Sequence, residues 1–82
     1  MIDKFIAQKG QIVTVDWVDS SILGGWVYGD VEATPKQISS AGFVVGMSDT
    51  AIVLSCSHSD SGGVIAPLTI PICCIENYTI LV

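Results

Sequence analysis

The chain has no arginine, and only Lys4, Lys9 and Lys36 carry positive charge. Charged residues make up 13% of its 82 residues, where a typical soluble domain has about 25%. With eight acidic residues the net charge is −5. A protein that coats DNA by neutralising many phosphates is excluded on this count. A long apolar run is also missing. The longest uncharged stretch lies between Asp60 and Glu76 and is interrupted by Pro67 and Pro71. It falls short of the ~18–20 apolar residues of a spanning helix, and two interior prolines would break one. The start of the chain, Met1-Ile2-Asp3-Lys4-Phe5, shows no basic segment followed by an apolar run, so no secretory signal is visible. The expectation is a soluble cytoplasmic protein.

No C-x-x-C pair occurs. The three cysteines, Cys56, Cys73 and Cys74, are an odd number, unlike the even framework of a small secreted scaffold. A zinc site built from Cys56, His58, Asp60 and Cys73 or Cys74 competes with a blander reading of small apolar-like thiols beside a loop. Residues 73 and 74, if in a strand, point to opposite faces and do not line one site. The expectation is no metal and no cofactor. Catalysis has little material. Residues 55–61 read S-C-S-H-S-D-S. A triad needs a base held by a third group and an oxyanion hole, which neighbouring residues of one loop rarely supply. His58 reads instead as a solvent-facing turn residue. The G-G-W of residues 24–26 lacks the lysine of a phosphate-binding loop. The chain is expected not to be an enzyme.

What is present is apolar: half of all residues. A chain of this size buries only about 60–65% of its unfolded surface. It therefore has more apolar content than interior, and a subunit interface is the ordinary place for the excess. High hydropathy and low charge also rule out a disordered tail.

Periodicity supplies the elements. In residues 1–9 Ile2, Phe5 and Ile6 recur at helical spacing, with Gly10 as a stop, which predicts a short amphipathic helix. Residues 11–18, Q-I-V-T-V-D-W-V, alternate as a strand with Val13, Val15 and Trp17 on one face. Trp26-Val27-Tyr28 reads as a second short strand, in a hairpin with the first. Thr34-Pro35 looks like a helix cap leading into one turn over residues 36–39, against the alternative of an irregular loop. Residues 42–47 and 51–57 read as strands around the turn Ser48-Asp49-Thr50. Residues 58–63 are a polar loop. Residues 64–70 form a strand that Pro67 marks as an edge or a bulge. Residues 71–75 are a tight connection and residues 76–82 a last strand. One domain over residues 1–82 is expected, mainly β. A short N-terminal helix would precede five or six antiparallel strands, bent into a small barrel that leaves no flat exposed sheet.

Residues 42–54, G-F-V-V-G-M-S-D-T-A-I-V-L, resemble the first signature of Sm-like proteins through Gly42, Gly46, Asp49 and Leu54. Residues 64–81 are similar in layout to the second signature through Ile70, Ile75 and Ile80. Small SH3-like barrels share much of this layout, and W-V-D-S-S at residues 17–21, S-A-G-F-V-V at 40–45 and I-P-x-x-x-I at 70–75 together resemble small barrels encoded by tailed phages. The Sm-like resemblance implies a ring of copies joined through strand edges, and RNA held at the turn after the first signature strand. The matching positions here are Ser48, Asp49 and Thr50. The usual asparagine falls near Ala51, and the arginine-glycine step falls near Pro71-Ile72, so both are absent. An aromatic platform of Trp26 and Tyr28 near Lys36 offers base stacking instead. Against it stands the reading that Trp17, Trp26 and Phe43 fill the core. Two expectations follow: a non-enzymatic ring-type homo-oligomer with RNA as a candidate ligand, or a phage or mobile-element interaction module with no nucleic-acid role.

Overall fold

In the computed structural model, described for residues 2, 4–21 and 24–82, the chain forms five antiparallel strands. They are β1 (Ile12–Asp19), β2 (Lys36–Met47), β3 (Ala51–Ser55), β4 (Leu68–Pro71) and β5 (Ile75–Ile80), in the sheet order β4-β3-β2-β1-β5. Alternation in β1 does what the sequence dictates: Val13, Val15 and Trp17 are buried, and Asp16 is exposed. Val44 of β2, Ile52 and Leu54 of β3, Ile70 of β4 and Ile75 at the start of β5 meet them in one core.

The sheet is open, since no ladder joins β4 to β5. The expected closed barrel is therefore corrected to an open sheet with two edges. The sheet nonetheless curls. Five flat strands would set their edges about 19 Å apart. Here β4 and β5 are linked only by a 3-10 turn, Ile72–Cys74, which spans about 6 Å.

The N-terminal helix is also corrected. Among the described residues of 1–9 none is helical, and Met1 and Asp3 lie outside the description. Phe5 and Ala7 are buried while Lys4, Ile6 and Gln8 are exposed, a period of two and not of 3.6. Nine residues are too few for a stable helix in water, and docking decides their conformation. The Phe5 ring packs on Tyr78 with centroids 4.5 Å apart, and the Ile6 N–H donates to the Tyr78 hydroxyl at 3.1 Å. The Ile2 N–H donates to the Ile75 carbonyl at 3.4 Å.

The middle of the chain differs too. Trp26-Val27-Tyr28 forms no strand, and residues 36–39 are the start of β2 and not a helical turn. The far half of β1 decides this. Asp16–Asp19 would be left without a neighbour on that side, and the register Asp19↔Lys36 through Asp16↔Ser39 supplies one. Two side-chain bonds pin it: the Ser39 hydroxyl donates to the Asp16 carboxylate at 2.8 Å, and Trp17 Nε1–H donates to Ser40 Oγ at 3.0 Å. The strand expected over residues 64–70 is reduced to Leu68–Pro71. Pro67, which has no N–H for a ladder, stands immediately before it.

Candidate functional site

β1 and β2 pair to their ends, so residues 20–35 leave the sheet at the tip of a two-stranded ribbon. Every described residue of this arm is exposed, so none of them is buried against the sheet. Trp26 is 91% and Tyr28 87% exposed, and Val27 and Val31 are exposed beside them. The two aromatics therefore stay out of the core. Trp17 is in it, and Phe43 is half-buried, with its ring edge-on to His58 at 4.7 Å. The described arm residues include the acids Asp30 and Glu32 and no base.

The sequence-predicted RNA residues do not assemble into one site. Ser48, Asp49 and Thr50 form the β2–β3 turn, closed by Ser48 N–H to the Ala51 carbonyl at 2.9 Å, with Ser48 Oγ accepting Ala51 N–H at 3.2 Å. Lys36 opens β2 at the other end, 11 residue steps from Met47, or about 36 Å of strand. Trp26 and Tyr28 lie beyond Lys36 on the arm. The lysine that does sit by the turn is Lys4, which shares a shallow depression with Met47, Ser48 and Asp49. Nothing in the spacing of the sequence signals that approach, because the extended path of the N-terminal segment creates it.

The loop between β3 and β4 is ordered by its own hydrogen bonds. The buried Ser55 hydroxyl lies 2.8 Å from the Ser57 carbonyl and 2.7 Å from the Ile65 carbonyl, and it accepts Ile65 N–H at 3.2 Å. Its one proton serves one carbonyl at a time. Further out, Ser59 Oγ accepts Gly63 N–H at 2.9 Å, and His58 pairs with Val64 in an isolated bridge. Among the described residues no hydrogen bond joins His58 to a serine or an aspartate. Ser57, His58, Val64 and Ile65 line a shallow depression of mainly apolar surface. Val64 and Ile65 are exposed, as is Leu68 three positions further on, an apolar patch that a strand over residues 64–70 does not suggest.

Among the described residues no three His, Cys, Asp or Glu side chains gather as a metal site. Cys56 and Cys73 are exposed and Cys74 is half-buried. Because Cys73 and Cys74 lie in the 3-10 turn and not in a strand, their side chains approach each other. Burial raises the Cys74 thiol above its ordinary value, and the hydrogen bond and charge of Cys73, with the charge of Asp19, add to it. A raised thiol is a poor nucleophile near neutral pH.

The two edge strands complete the inventory. Ile72 N–H donates to the Thr50 carbonyl at 2.8 Å, which fixes the alternation of the β3–β4 ladder. Ile70 and Leu68 then face β3, and the backbone groups of Thr69 and Pro71 face outward. On β5, Leu81 N–H donates to the Ile12 carbonyl at 2.8 Å, so Thr79 and Asn77 face β1 while Tyr78 and Ile80 face outward. No family model, curated protein or solved structure matches this chain. No helix among the described residues is long and apolar enough to cross a membrane.

Proposed function

We propose that this chain is a non-enzymatic assembly module that works as a homo-oligomer, joined through its sheet edges, with the arm of residues 20–35 held out for contact. One observation carries the reading: among the described residues twelve large apolar side chains are exposed, most of them on the segments that flank an open-edged sheet. Isolated exposed apolar residues are ordinary, but contiguous ones mark interaction surfaces. Here they cluster on the arm, on the 64–68 patch and at Ile80, Leu81 and Val82. Charges are sparse, so little polar surface separates these clusters. This reading includes no nucleic-acid partner.

Light scattering on the purified chain tests it. A mass of two or more chains at micromolar concentration is expected, and a single-chain mass at the highest soluble concentration overturns the reading.

RNA binding keeps one favourable observation, the exposed Trp26–Tyr28 pair, which suits stacking of unpaired bases. Asp30 and Glu32 on the same arm repel phosphate, and the turn Ser48–Asp49–Thr50 lies at the far end of β2. Titrating Trp fluorescence with a short oligouridylate separates the two readings. No salt-sensitive quenching is expected of an assembly module. Quenching lost on Trp26→Ala and weakened by salt supports RNA.

A further inference from the structure

We infer that two copies of this chain pair their β5 edges antiparallel about a two-fold axis at Thr79, giving one sheet of ten strands. The inference rests on the assembly reading and specifies which edge carries it. The two edges of the sheet are not equally fit to take a partner. The outward positions of β4 are Thr69 and Pro71, and Pro67 holds the next position in the same period of two. Proline has no N–H, so Thr69 is the one outward donor on that edge. A strand laid against β4 would leave its own carbonyls unpaired opposite the prolines, a costly state for a group removed from water. Proline on an edge is a device against such pairing.

β5 has no such protection. Its sequence, I-E-N-Y-T-I, contains no proline and one charge, Glu76, three positions from Thr79. The N-terminal segment lies against the Tyr78 side chain through Phe5 and Ile6, but among the described residues its one backbone bond to β5 is Ile2 N–H on the Ile75 carbonyl. Tyr78 and Ile80 therefore each present an outward N–H and C=O, and among the described residues none of these four groups has a hydrogen-bond partner. A two-fold axis at Thr79 satisfies all of them. Tyr78 N–H meets the carbonyl of the partner's Ile80, Ile80 N–H meets the carbonyl of the partner's Tyr78, and the symmetric pair repeats both. Such an interface is isologous, and two-fold dimers are the commonest closed assemblies. Thr79 stands opposite the partner's Thr79, a favourable cross-strand pair. The exposed Ile80, Leu81 and Val82 flank this seam and lose solvent contact on pairing. A ring would instead join β4 of one copy to β5 of the next, and the β4 prolines oppose it.

The test uses the full chain and substitutions that leave the β1 ladder intact. Thr79 is exposed, so Thr79→Lys and Thr79→Glu put like charges opposite one another only in the dimer. Each is expected to weaken dimerisation about tenfold or more, and a 1:1 mixture of the two is expected to restore it. Ile80→Pro deletes an outward N–H and is expected to yield a monomer with unchanged β-sheet circular dichroism. If that variant fails to fold, the charge pair still decides. A wild-type mass of five or more chains, or a two-chain mass unaffected by Thr79→Lys, overturns the β5 assignment and leaves assembly standing. A wild-type monomer removes the assembly reading itself.

Discussion

At Gly42 a Cβ atom would stand 2.8 Å from the backbone oxygen of Ser55, closer than real Cβ atoms come to a neighbour. The contact is with backbone, so relief requires β2 and β3 to move apart. Gly42→Ala is expected to lower unfolding free energy by about 1–3 kcal/mol, as overpacking does, read from urea denaturation. Gly46 sits at the β2 bulge, where a Cβ would meet only the Val53 side chain, at 3.3 Å. A rotamer can yield there, so Gly46→Ala is expected to cost less than Gly42→Ala. Equal losses would show that the bulge, and not the Gly42–Ser55 approach, is the tighter point. Both glycines stand out in the sequence, but their order of importance does not. It depends on the register Phe43↔Ser55, which brings Gly42 beside the last residue of β3. The face Val13, Val15, Trp17 is legible because a two-residue period permits only one inward set. Trp26 is not, since an aromatic residue in a glycine-flanked segment fits a core and an exposed arm equally well.

The N-terminal segment and β2 show how elements escape a local reading. Ile2, Phe5 and Ile6 fit a helical stripe, and Phe5 with Ala7 fits a strand-like one. The choice falls to the surface that receives them, formed by Tyr78 and the start of β5. Those residues are some seventy positions away, out of reach of any periodicity window. Phe5 is 7% exposed and belongs to the core. Phe5→Ala is expected to destabilise the chain by about 3 kcal/mol through lost burial and a cavity. A helix merely resting on the surface would lose far less, so a change under 1 kcal/mol in thermal or urea unfolding would contradict the docked extended path. The start of β2 was hidden for a similar reason. Thr34-Pro35-Lys36 carries a real capping pattern, and tertiary pairing with Asp16–Asp19 overrides it.

Across the whole molecule, shape and charge work on association together. The chain measures 51 × 28 × 21 Å with a radius of gyration of 15.1 Å, against about 12 Å for a compact domain of this length. Projection of the ribbon and its arm accounts for the excess. Two copies, each at −5, repel on approach. Salt shortens the range of that repulsion from about 30 Å at 0.01 M to about 8 Å at 0.15 M. Self-association through backbone pairing and apolar contact is therefore expected to strengthen as sodium chloride rises, followed as a falling dimer dissociation constant in sedimentation equilibrium. Weakening with salt would point to attraction between unlike charges. The composition made an excess of apolar surface legible at this scale, because half the residues are apolar and few are charged. It could not say which surface, because that depends on the edge order of the sheet.

β5 also sets the order in which the chain can fold. It pairs with β1 through Val13↔Ile80 and Thr14↔Thr79, contacts between nearly opposite ends of the sequence. Such contacts close a large loop before any gain from pairing is felt, and folding slows accordingly. The β2–β3 hairpin, joined by three residues, is free to form early. Until β5 arrives, β1 is itself an edge, with the backbone groups of Thr14 and Asp16 unpaired and the apolar row Val13, Val15, Trp17 not yet covered by Tyr78 and Phe5. Misassembly during folding is thus directed at β1, a strand that in the finished molecule lies inside the sheet between β2 and β5.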